Sequence, residues 1–130
     1  MSVFKNDPFA IVWEAFKNLY PDKDCECWFD AVDDPEDTDG HCGWTQWTDD
    51  GDVVVAVDFG LRLADAVEIF AHELAHVAVG PDADHGEEWE KAVDAIHVEY
   101  NRIGNERFDV HTPMECMDAK ALKPQEEASE

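Results

Sequence analysis

Lysine and arginine are scarce in this chain: 9 of them stand against 32 aspartates and glutamates in 130 residues, a formal net charge of −23. Neutralising phosphates takes clustered cations, so direct nucleic-acid binding is not expected, and neither is docking on an anionic membrane. Long apolar runs are missing as well. The most apolar segment, Ala64 to Val79, is interrupted by Asp65, Glu68 and Glu73, whereas a spanning helix needs about eighteen or more consecutive apolar residues. The N-terminal stretch carries Lys5, Asp7 and Glu14 among its apolar residues, which is not the pattern of a secretory leader, and the chain is expected to stay in the cytoplasm where it is made. Cysteines number only 4. Without a leader they read as reduced thiols or metal ligands rather than a disulfide frame. There is no internal repeat and no low-complexity tract.

What is present suits one small domain. With 45% apolar and 11% aromatic residues, a chain of this length buries about two-thirds of its unfolded surface, enough for a core and one site. The domain is expected over residues 1–122, with 123–130 as a disordered acidic tail. The acidity itself fits a soluble protein, one that attracts a basic partner, or one that works in high salt.

Asp7-Pro8 reads as an N-cap followed by proline at the first helical position, and Phe9, Val12, Trp13, Phe16 and Tyr20 then recur at helical spacing until Pro21. From Cys25 to Val32, Cys27, Phe29 and Ala31 alternate with Glu26, Trp28 and Asp30 as in a half-buried strand, with Trp28 slightly spoiling the alternation. The acidic stretch from Asp33 to Gly40 lacks the ligand spacing of an EF-hand and reads as a solvated turn. His41 to Thr48 and Val53 to Asp58 read as two more strands around an Asp-Gly turn, giving a small antiparallel meander. Val53 to Val57 is apolar on both faces, so each side of it should be covered. A helix from about Leu63 to Val79 ends at Gly80-Pro81. Another carries Trp89, Ala92, Val93, Ile96, Tyr100 and Ile103 as one stripe, with Gly104-Asn105 as its C-cap.

Within the first of these two helices, His72-Glu73-Leu74-Ala75-His76 sets two imidazoles at i and i+4 on one face, where both can reach one zinc ion. Glu73 sits about 100° around the helix, placed as a general base rather than a ligand. This is the HExxH pattern of zinc hydrolases. The surrounding helix is nearly all apolar, and two imidazoles with a carboxylate in its middle need partners, which a metal supplies. A catalytic zinc usually takes three protein ligands. His85, nine residues after His76 and across a Gly-Pro turn, is the leading third; Asp82, Asp84, Glu87 and Glu88 remain alternatives, Glu88 the best of them.

His72-Glu73-Leu74-Ala75-His76 followed by His85-Gly86-Glu87-Glu88-Trp89 resembles the SprT-like zinc metallopeptidases, in particular the small versions found in bacteriophage genomes, for which the compartment would be the host cytoplasm. The likeness spans roughly Val53 to Tyr100. It implies an α+β minimal zincin: an N-terminal helix, a small three-stranded antiparallel sheet, the active-site helix, then a C-terminal helix and an irregular tail. It also implies one Zn2+ per chain on His72, His76 and His85, Glu73 as general base, and a protein or peptide substrate. Two features depart from the family: the segment after Tyr100 holds only Cys116 instead of a cysteine-rich ribbon, and the net charge opposes DNA binding. The spacing to His85 differs from the metzincin pattern, so Met114 and Met117 receive no Met-turn role.

A different class of function is a non-catalytic acidic protein that zinc merely stabilises, engaging a basic partner or imitating nucleic acid. Cys25, Cys27 and Cys42, with His41, offer a second zinc site, but a Cys-x-Cys pair in a strand is more often two buried small residues, and packing is the expectation. Core packing is likewise expected for His97, Tyr100 and the tryptophans Trp28, Trp44 and Trp47. His111 is placed in a surface loop, and Asp65 serves the helix dipole.

Overall fold

The computed structural model describes residues 3–30, 43–81 and 85–108, and the first of its helices starts at the cap the sequence provides. The Asp7 side chain accepts hydrogen bonds from the backbone N–H of Phe9 and Ala10 at 2.9 and 3.4 Å, and Pro8 opens helix α1 (Pro8–Leu19). Its apolar stripe buries Ile11, Val12, Ala15 and Phe16. Three strands follow, β1 (Glu26–Asp30), β2 (Gly43–Trp47) and β3 (Val53–Asp58), then helices α2 (Leu63–Val79) and α3 (Glu87–Arg107). The acidic loop from Asp33, His41, Cys42, Asp82, Asp84, His111, Met114, Cys116, Met117 and the 123–130 tail lie outside the described residues.

The described residues thus form an α+β arrangement of three helices and a mixed sheet, which corrects the expected antiparallel meander. The strand order is β1-β3-β2, with β3 parallel to β1 and antiparallel to β2. The reason is visible in β3 itself. It is the strand apolar on both faces, and the central slot is where such a strand is covered on both edges and both faces. Val55 and Val57 join the core cluster, while Ala56, fully buried, has Trp28 and Trp44 as its two cross-strand neighbours. The more polar strands take the edges. β1 is exposed along its length, with Trp28 at 60% and Phe29 at 57%, so it is not the half-buried strand its alternation suggests, and Trp28 is not core.

Helix α2 lies against β2 and β3 on one side and against α1 and α3 on the other. It buries Ala66, Val67, Phe70, Ala71, Leu74, Ala75 and Val77. Helix α3 runs to Arg107 rather than stopping at Gly104-Asn105, because Ile103 and Gly104 are buried and Arg107 pairs with α1. Tertiary packing carries the helix past a glycine that would otherwise end it. His97 and Tyr100 are buried on the same stripe.

The α1–α3 seam is also tied by polar contacts. Both guanidinium nitrogens Nη1 and Nη2 of Arg107 donate to the Glu14 carboxylate at 2.8 Å, and Asn18 Nδ2 donates to Glu99 at 2.9 Å. Glu99 also accepts from Arg102. The hydrogen bonds from Arg107 hold Glu14 below its ordinary value, and those from Arg102 bring Glu99 down to about 2. A carboxylate depressed in the folded state stabilises above its unfolded value, and that contribution is lost as pH falls through the folded one. The Arg102→Gln/Arg107→Gln double variant is therefore expected to show a lower urea midpoint than the parent at about pH 6, with the gap closing between about pH 4.5 and 2. A gap that stays constant over that window would show that ionised Glu14 and Glu99 contribute nothing through these pairs.

Candidate metal centre

The HExxH segment occupies the second half of α2, where the helix passes beneath the sheet. His72, Glu73 and His76 are each half-buried, between the fully buried Ala71, Leu74 and Ala75. The helix ends at Gly80, whose φ of +93° is the left-handed region that suits glycine, and whose backbone N–H donates to the His76 carbonyl at 2.9 Å. The chain re-enters the described structure at His85, just before Gly86 caps α3. The turn has brought the exposed His85 back onto the helix: its Nε2 stands 3.0 Å from His76 Nε2.

Trp89, in the first turn of α3, forms the floor under all three imidazoles. Its ring centroid lies 5.6 Å from that of His72, 5.3 Å from His76 and 4.5 Å from His85. Its indole N–H donates to the His72 carbonyl at 3.1 Å. The fully buried His97 stacks on His72 at 6.1 Å, so it is both a core residue and a neighbour of the centre. The acidic first turn of α3, Glu87, Glu88 and Glu90, suits the positive end of the helix dipole.

Glu73 is held from the other side, by β2. Thr45 Oγ1 donates to Glu73 Oε1 at 2.6 Å and approaches the Glu73 carbonyl at 3.3 Å. Gly43 leaves room for the second carboxylate oxygen. A Cβ at that position would stand 2.8 Å from the Ala56 carbonyl oxygen, 2.8 Å from Ile69 Cγ2 and 3.3 Å from Glu73 Oε2. Burial pushes the Glu73 carboxyl above its ordinary value, and the Thr45 hydrogen bond and the charge of His85 pull it partly back. Thr45 and Gly43 were not singled out by the sequence. The available signal was strand alternation, which puts Gly43, Thr45 and Trp47 on one face, together with a glycine inside a strand, a mark of close approach.

The structure therefore brings His76 and His85 into contact and packs His72 on Trp89 and His97. Among the described residues, no three His, Cys, Asp or Glu side chains are gathered around one point. The donor set nonetheless suits zinc. Two imidazole nitrogens on one tetrahedral zinc stand about 3.3 Å apart, and the observed pair needs to open by only about 0.3 Å. His72 lies one turn back on the same helix face.

The packing expectation holds in part for Cys25, which is half-buried and packs against the core, but not for Cys27, which is exposed; their sulfurs stand 3.9 Å apart. The hydrogen bond between them raises the Cys25 thiol and lowers that of Cys27. Comparisons with protein-family models, with curated proteins and with solved structures return no match.

Gly43→Ala is expected to destabilise the protein by about 1–3 kcal/mol, since the methyl group meets a backbone carbonyl that has no room to retreat. Urea unfolding monitored by tryptophan fluorescence measures it. An unchanged midpoint would mean that β2 does not press on α2 at this point.

Proposed function

We propose that this chain is a zinc-dependent peptidase of the SprT-like, minimal-zincin kind. The observation that carries the reading is the meeting of His76 and His85 across nine residues of sequence at an Nε2–Nε2 distance of 3.0 Å, beside a carboxylate that burial pushes toward basicity. In this reading His72, His76 and His85 hold one zinc per chain. Zinc, when bound, supplies Lewis acidity at the scissile carbonyl and lowers the pKa of water toward about 7. Glu73 takes the proton of the attacking water and passes it to the leaving amine. A carboxyl with a raised pKa is the better proton carrier near neutrality. Thr45 fixes one Glu73 oxygen by its 2.6 Å hydrogen bond, and the other lies beside Gly43.

The substrate is an extended peptide. Among the described residues β2 is a sheet edge, and its Thr45 touches Glu73; a substrate strand added to that edge lies beside the base, held by backbone hydrogen bonds. β1, the other edge, is two strands away. A cytoplasmic setting remains part of this proposal. Among the described residues no helix is long and apolar enough to cross a membrane.

The second reading is the acidic binding protein in which zinc only stabilises the fold, and the observation in its favour is the net charge of −23. Glu73→Gln separates the two. The peptidase reading expects this variant to keep its zinc in elemental analysis and to cleave a peptide library about 100-fold or more slowly than the parent. His76→Ala is expected to lose the zinc. Cleavage at the parental rate by Glu73→Gln, or a parent that takes up no zinc, overturns the peptidase reading.

A further inference from the structure

The sulfur pair at the start of β1 is independent of the histidine centre. Residues two apart in a strand have Cα atoms about 6.6 Å apart, near the upper end of what a disulfide spans. Side chains at such positions share a face without having to touch. Here they converge: the Cys25 and Cys27 sulfurs are 3.9 Å apart. Two thiolates on one tetrahedral zinc-sized ion, with metal–sulfur bonds of about 2.3 Å, stand about 3.8 Å apart. The spacing is compatible with a chelating pair as well as with the thiol–thiol hydrogen bond, and is much wider than a sulfur–sulfur bond.

The surroundings of Cys25 are acidic. It lines a cleft of about 590 Å³ together with Asp22, Asp24, Glu26 and Asp52, with Lys23 on the same wall and Lys17 close enough to act on the thiol. Cys27 lines a separate, apolar pocket with Phe9, Trp28 and Phe29. Asp24 already accepts a hydrogen bond from the Cys25 backbone N–H at 2.9 Å, which fixes the chain where the pair begins.

We infer that Cys25 and Cys27 form a two-thiolate chelate for a thiophilic divalent cation of the zinc and cadmium class, separate from the histidine centre. Soft thiolates select such ions over calcium and magnesium, which the carboxylates alone would attract. Binding exchanges one proton from each thiol for the metal, so two protons leave per ion.

The test uses the full-length chain, reduced and metal-free, titrated with cadmium while the ultraviolet thiolate-to-cadmium charge-transfer absorption is followed. Imidazole ligands do not produce that band. The expected result is a saturating band that survives His76→Ala, is abolished or nearly so in Cys25→Ser/Cys27→Ser, and appears with at least about tenfold weaker affinity in Cys27→Ser. Cys27 is exposed, so its replacement leaves the fold intact, and far-ultraviolet circular dichroism checks each variant. A band of undiminished amplitude and affinity in both cysteine variants overturns the proposal, because the thiolates would then come from Cys42 or Cys116. So does a reduced parent that develops no band, or one whose band disappears with His76→Ala alone.

Discussion

A carboxylate drawn out of water into a helix–sheet contact has to be met by donors, or it costs several kcal/mol and gives up its charge. Glu73 is in that position, and the arrangement around it follows from the need. The carboxylate can lie against β2 only because Gly43 has no side chain to fill the space, and it keeps one oxygen satisfied only because the next residue on that face is Thr45. Those two residues sit on an edge strand. β2 is in turn aligned by the antiparallel register that pairs Gly43 with Val57 and Thr45 with Val55. A slip of one residue would turn Gly43 and Thr45 to the far face and put Trp44 against α2. The apolar pairing of β2 with β3 therefore sets the environment of a polar group that neither strand contains.

The histidines are arranged by a different device. Nothing in α2 reaches far enough to bring a third imidazole to His76, so the chain must leave the helix, turn at Gly80 and come back. What fixes its return is Trp89, whose buried ring stands against His72, His76 and His85 while its N–H is bonded to the His72 carbonyl. One side chain of α3 thus locks the start of that helix to the middle of α2. The His76 and His85 Nε2 atoms stand at hydrogen-bond distance, 3.0 Å. A metal ion placed between them would take both nitrogens as ligands.

The helices were legible because their signals are local. The Asp7-Pro8 start, the 3.6-residue stripes and the Gly80 stop each act within a few residues, and α1, β3 and α2 lie where those signals place them. The order of the strands was not legible, because pairing depends on residues far apart, and alternation along β1 says nothing of which strand lies beside it. The doubly apolar character of Val53–Val57 did contain the answer: a strand that needs cover on both faces also belongs between two others. Gly104 illustrates the reverse error. A glycine near a helix end is a stop signal only if nothing beyond it is held, and the Arg107–Glu14 pair holds the next turn. Ligand counting pointed to His85, which the structure sets 3.0 Å from His76, while Thr45 and Gly43 were missed because their meaning depends on what packs above them.

The excess of acid over base is organised unevenly. Arg62, Lys91, Arg102 and Arg107 each stand against a carboxylate, mostly within their own helix. Cations committed in this way present no patch to phosphate, and the surplus carboxylates dominate the field that a distant molecule meets. A field of that sign favours the approach of cations over anions, and salt weakens the preference over a Debye length of about 10 Å at 0.1 M. Such a surface raises the local concentration of cations without choosing among them, since carboxylates alone take calcium or magnesium as readily as zinc; a preference for zinc would require softer donors such as imidazole nitrogen or thiolate sulfur.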